Sequence, residues 1–180
     1  MDRDLIFELL QQALAEFLEK EQRNIELNAH EDGLSSKLLL YLKECITKYD
    51  QDNGTHYFDD YDVDVQVNKT EDGVSKKIGE SEDMIRCDLM IHSKGKNQER
   101  ENLLYVEMKK SNNSQQVEED KQKLRALVGP VPSHVTDSRL AKMYNTLLGV
   151  FLKLDLNTKQ FSGIKYWYEN GEPRDQEFNS

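Results

Sequence analysis

The chain has only two cysteines, Cys45 and Cys87, and their separation fits neither a disulfide framework nor a zinc-binding spacing. Its four histidines, His30, His56, His92 and His134, are scattered and form no H-x-x-x-H or HExxH pattern, which argues against a zinc site. Long apolar runs are missing: Leu38 to Leu42 and Leu147 to Leu152 are far shorter than a membrane span. The start, with Asp2, Arg3 and Asp4, lacks a basic segment leading into an apolar one, so no secretory signal is expected. There is no phosphate-binding glycine loop ("GKNQER" is not one), no serine nucleophile elbow and no internal repeat. A soluble, cytoplasmic protein with reduced thiols and no membrane partner is the expectation.

What the chain has in excess is negative charge. Over 180 residues, 24 Lys and Arg face 34 Asp and Glu, a net charge of −10. The whole excess lies in residues 1–64, with 6 basic against 16 acidic side chains; the remainder is balanced at 18 of each. The densest stretch holds Asp50, Asp52, Asp59, Asp60, Asp62 and Asp64 without a lysine or arginine among them. It lacks the spacing of a calcium-binding EF-hand loop and reads as a solvated acidic loop running into an edge strand. A protein that coats nucleic acid non-specifically needs clustered cations, and this chain has none on that scale. Residues 94–125 carry 8 basic against 6 acidic side chains, which leaves room for a local basic groove.

Leu5, Ile6, Leu9, Leu10, Ala13, Leu14, Phe17 and Leu18 repeat at helical spacing. They predict an amphipathic helix over about 3–22 that covers the core or forms a dimer seam. A second helix is predicted over 29–48, with Leu34, Leu38, Leu42, Cys45 and Tyr49 on one face and Glu31 projecting onto the centre of it. Alternation predicts strands over 61–68, 84–92 and 103–109, with a polar loop over 69–83 and a turn at "SKGKNQEREN". Serine and asparagine at 111–114 then cap a helix to about Val128, which "GPVPS" ends. A short helix near 137–145 and strands over 147–156 and 161–168 follow, and "ENGEPRDQEFNS" reads as a frayed tail. The expected fold is a single α/β domain with a central mixed four- to five-stranded sheet flanked by helices. Its N-terminal helix occupies 1–25, the core 28–168 and a flexible tail 169–180.

The chemistry concentrates in the hairpin. Asp88 lies opposite Cys87 and Leu89 across its strand, and Glu107 and Lys109 project together from theirs. If His92 stands across from Leu103 in an antiparallel pair, Asp88 stands across from Glu107; a one-residue slip would reverse the facing. Two carboxylates on adjacent strands repel unless a positive charge lies between them. A hard divalent cation with oxygen ligands is the economical solution, and Mg²⁺ suits a site with few carboxylates. Lys109 then brings a cation to the same place, where it orients a nucleophilic water or steadies charge on a phosphate. Glu31 offers a third oxygen ligand; equally, Asn28 to Glu31 reads as a capping box in which Glu31 bonds back to the Asn28 amide.

A helix with an inward Glu31, Asp88 in "CD", a hairpin, then Glu107 and Lys109 in "VEMKKS" and a helix resembles the PD-(D/E)XK, or restriction-endonuclease-like, nuclease superfamily. The resemblance covers about residues 28–156 and departs from the family's proline at Cys87. It implies a restriction-endonuclease-like core in which Asp88 and Glu107 hold Mg²⁺ with the main-chain carbonyl of Met108 and with Glu31. By the same resemblance Mn²⁺ serves as a substitute for Mg²⁺, and Lys109 acts on the attacking water. It also implies a polar residue from the following helix, for which Lys121 is the candidate phosphate contact.

The function expected is hydrolysis of phosphodiester bonds in nucleic acid, DNA ahead of RNA. The alternative is a catalytically silent nuclease-fold module for binding or assembly in a nucleic-acid-processing complex, with a homodimer or larger complex formed through the N-terminal helix. A plainer account of the hairpin is a surface ion pair between Glu107 and Lys109 or Lys110 on an exposed sheet face. His92 reads as an exposed strand-end histidine, Cys87 as a small buried hydrophobe. Trp167 faces away from Tyr166 and Tyr168, so part of that aromatic cluster belongs to the core.

Overall fold

In the computed structural model, which describes residues 2–65, 87–97, 100–136 and 138–180, helix α1 (Arg3–Lys20) starts where Asp2 accepts the Asp4 amide at 2.9 Å. Its apolar stripe, including Ile6, Leu10, Ala13, Leu14 and Phe17, is fully buried, so this face covers the protein's own core. A short α2 (Gln22–Glu26) leads to α3 (Glu31–Asn53), whose N-cap is His30 and whose C-cap is Gly54 in the left-handed region at φ 60°. Six strands follow: β1 (Asp62–Asp64), β2 (Leu89–His92), β3 (Asn102–Lys110), β4 (Leu148–Asp155), β5 (Gln160–Glu169) and β6 (Glu172–Asn179). Helices α4 (Val117–Val128) and α5 (Ser138–Ala141) lie between β3 and β4.

The strands line up in sequence order, antiparallel throughout except for the parallel pair β3 and β4. A parallel pair needs a crossover, and α4 supplies it. Period-two alternation then divides the side chains. Leu104, Val106, Met108, Val150, Leu152 and Leu154 meet α1 and α3 on one face. On the other, Tyr105, Phe151 and Tyr166 meet Leu124, Leu127 and Val128 of α4. The fold is therefore α/β, with a mixed sheet between helical layers and an N-terminal helix. Among the described residues no helix is long and apolar enough to cross a membrane.

The sheet has six strands where four to five were expected, because the 169–180 tail is not frayed: most of it is β6. Its side chains are nearly all exposed, so hydropathy gives no sign of it, and it is held by backbone pairing to β5. Phe178 pins its end by an edge-on contact with Phe7, ring centroids 4.9 Å apart. The overlooked signal is Asn170-Gly171, where both residues have positive φ (54° and 82°) as a two-residue hairpin turn requires. The capping expectation at 111–114 also fails: the N-cap of α4 is Gln116, and Ser111 and Asn113 bond elsewhere. The 69–83 loop, residues 66–68 and Met84 to Arg86 lie outside the described residues.

Gly163 of β5 permits a close approach. A Cβ there would press into the Phe151 carbonyl oxygen and sit 2.8 Å from the Phe178 ring. Gly163→Ala should lower stability by about 1–3 kcal/mol, the usual cost of overpacking. Urea denaturation measures this, and an unchanged midpoint would mean that β4 and β6 yield freely.

Candidate active site

The β2–β3 hairpin has the register that sets Asp88 against Glu107. Leu89 pairs with Val106, Met90 with Tyr105 and Ile91 with Leu104, and the pairing shifts only at His92, which stands opposite Asn102. Just before β2, the Asp88 amide donates to the Val106 carbonyl (3.1 Å), and an Asp88 carboxylate oxygen accepts the Met108 amide at 2.7 Å. Asp88 is thus anchored to the β3 backbone on either side of Glu107.

Glu107 points into the layer between sheet and α4 and is only 3% exposed. Its partner is Lys123 of α4, whose Nζ contacts Glu107 Oε1. The same ammonium lies 3.3 Å from Asp120 Oδ1, while Lys109 Nζ lies 3.2 Å from Asp120 Oδ2. Asp120 and Lys123 share the inward face of α4 as an i, i+3 pair in line with Leu124 and Leu127. The site the structure assembles is therefore Asp88, Glu107 and Lys109 from the hairpin, closed by Asp120 and Lys123 from the helix. The sequence pointed to Lys121 as the helix's contribution, whereas the structure brings in Asp120 and Lys123. Lys121 instead pairs with Glu118 at 2.8 Å and lies over the Phe151 ring, 5.5 Å from its centroid.

The plainer account of an exposed Glu107–Lys109 or Glu107–Lys110 pair does not describe this arrangement. Glu107 is buried and held by Lys123, Lys109 holds Asp120, and Lys110 Nζ binds Asn28 Oδ1 and the Ala29 carbonyl. Glu31 does not bond back to Asn28 either. It is the first residue of α3, one past the cap, and its carboxylate accepts from the Lys110 amide (2.9 Å) and Asn113 Nδ2 (3.1 Å). It ties α3 to the end of β3. Among the described residues no group of three His, Cys, Asp or Glu side chains is placed to hold a metal ion, and the Glu31 carboxylate is engaged by Lys110 and Asn113. Cys87 is fully buried against this site as expected. His92 departs from expectation: it is 3% exposed, with Nε2 2.9 Å from Asp64.

Burial dominates the electrostatics. It pushes Glu107 up to about 8, with Lys123 opposing and Asp88 and Asp120 adding to the rise. Burial raises Asp88 as well, against the Met108 amide and the two lysines. Lys109 loses hydration, yet Asp120, Asp88 and Glu31 more than restore it, so its ammonium sits above the usual lysine range. Lys123 behaves alike, lowered by burial and raised further by Glu107. Of the carboxylates sharing two ammonium groups, Glu107 is the most buried.

No protein-family model, curated protein or solved structure matches the chain. The geometry of the site carries the functional argument.

A divalent cation fits the donors present. Asp88, Glu107 and the Met108 carbonyl are hard oxygen ligands of the kind Mg²⁺ takes in small number, with water completing the shell. Glu107 Oε1 and Asp120 Oδ2 are buried, and each faces a lysine ammonium.

The raised Glu107 has a definite consequence for stability. A carboxyl whose folded pKa lies above its ordinary 4.5 stabilises the fold below that value and loses this contribution as pH rises toward about 8. Asp88 acts in the same sense. Metal-free protein should therefore melt at a lower temperature at the top of that window than at the bottom, and Glu107→Gln should flatten the trend. Scanning calorimetry across the window tests it; parallel slopes in the two proteins would show that Glu107 is not the group responsible.

Proposed function

We propose that this protein is a metal-dependent nuclease of the PD-(D/E)XK type that hydrolyses phosphodiester bonds, DNA ahead of RNA. The observation that carries the reading is the convergence of Asp88 and Glu107 at the hairpin with the Lys109 ammonium beside them under α4. The order of elements agrees with it: a helix starting at Glu31, Asp88 entering a strand, a hairpin, the Glu-x-Lys strand and a helix.

Each residue has a distinct task. Asp88 and Glu107, with the Met108 carbonyl, would hold Mg²⁺ or Mn²⁺, which when bound activates water and neutralises charge on a phosphate. Lys109 stays protonated, so it does not remove a proton from water. It donates hydrogen bonds to the attacking water and stabilises the negative charge that develops on the phosphate. Asp120 fixes the Lys109 ammonium. A second reading, the catalytically silent binding or assembly module, is favoured by the net charge of −10, since a free nuclease gains from a basic approach surface.

The test is cleavage of single- and double-stranded DNA and RNA with Mg²⁺ or Mn²⁺, alongside Lys109→Ala and Asp88→Ala. Each variant should lose activity by about a hundredfold or more, the scale for removing one stabilising group. Cleavage that survives both substitutions would place the chemistry elsewhere. Inactive wild-type protein that still binds nucleic acid would favour the silent module.

A further inference from the structure

Lys123 has no part in the chemistry described so far, yet its ammonium is in direct contact with Glu107. A cation bound by Asp88 and Glu107 needs lone pairs on Glu107, and Lys123 occupies Oε1. Two like charges would then crowd one buried carboxylate, at a depth where water screens them little.

The lysine has somewhere to go. Its side chain keeps 19% exposure, and another of its partners, Asp120 Oδ1 at 3.3 Å, lies on its own helix. An ammonium displaced from Glu107 can remain on Asp120 or turn outward along its flexible stem.

We propose that Lys123 is a built-in counter-ion that occupies the Glu107 carboxylate in the metal-free protein and is displaced when a divalent cation binds, so that it sets the metal affinity of the site. Lys123 is a positioning residue that acts through Glu107. The inference rests on the proposed function only in taking Asp88 and Glu107 as the ligand pair. It separates cleanly from a merely structural ion pair, because loss of a structural prop misplaces Glu107 and weakens metal binding, whereas loss of a competitor strengthens it.

The experiment is calorimetric titration of the full chain with Mn²⁺ and with Mg²⁺ near neutral pH, for wild type, Lys123→Met, Lys123→Gln, Lys123→Arg and Glu107→Gln. The two uncharged variants should bind about tenfold more tightly, a typical effect for a group that contacts a metal ligand. Lys123→Arg should stay close to wild type and Glu107→Gln should not bind. Metal binding that appears only when Lys123 is neutralised supports the proposal equally. Binding by wild type that is lost in Glu107→Gln but unchanged or weaker in Lys123→Met and Lys123→Gln overturns the proposal and leaves the nuclease reading standing. Binding by none of the proteins, or binding that survives Glu107→Gln, overturns the ligand assignment and the proposal with it. Failure of both uncharged variants to fold, judged by circular dichroism, shows that the lysine cannot leave and also overturns it.

Discussion

A carboxylate buried as deeply as Glu107 has lost nearly all its hydration, and much of this structure can be understood from what offsets that loss. The compensation comes from α4, whose Lys123 reaches Glu107 and whose Asp120 steadies both Lys123 and Lys109. The helix stays in place for a different reason: Leu124, Leu127 and Val128 pack on Tyr105, Phe151 and Tyr166. An apolar interface thus delivers a polar pair to the right depth, and the polar pair lets the sheet carry an acid where water cannot reach it.

The single parallel pair in the sheet makes this possible. A meander throughout would need no crossover and would leave that face of β3 without a helix. The chain leaves β3 after Lys110, is tied there by Glu31 of α3, and returns over the sheet as α4 before entering β4. The two faces divide the labour. One is packed with aliphatic side chains under α1 and α3; the other gives way from an aromatic core to the charged cluster within one strand, between Tyr105 and Lys109.

The charge distribution argues against proton shuttling by lysine. Both ammonium groups are stabilised by the carboxylates around them, so neither is poised to act as a base. Burial raises the two hairpin carboxylates, and since ligands must be deprotonated to coordinate, a cation bound there would have to displace their protons.

Much of the organisation was legible in the chain. Helical periodicity located α1 and α3, alternation located β2 through β5, and a guess at one pair, His92 with Leu103, came within a single bulge of the observed register. Local patterns of this kind report which face of an element is buried, and that is a property of neighbouring residues. β6 escaped because an exposed strand held by backbone hydrogen bonds has no hydropathic signature, although Asn170-Gly171 announced its turn. Glu31 was placed on the right helix face, but whether it meets a metal, a cap or the end of β3 depends on where β3 ends relative to α3. The choice of Lys123 over Lys121 depends likewise on how α4 rotates against Phe151 and Tyr166. By itself the sequence determined the elements and the presence of Asp88, Glu107 and Lys109 on one hairpin, because those follow from spacing along the chain. Only the tertiary structure decided that Glu107 is buried and answered by Lys123, because charge compensation depends on distances between segments that spacing does not encode.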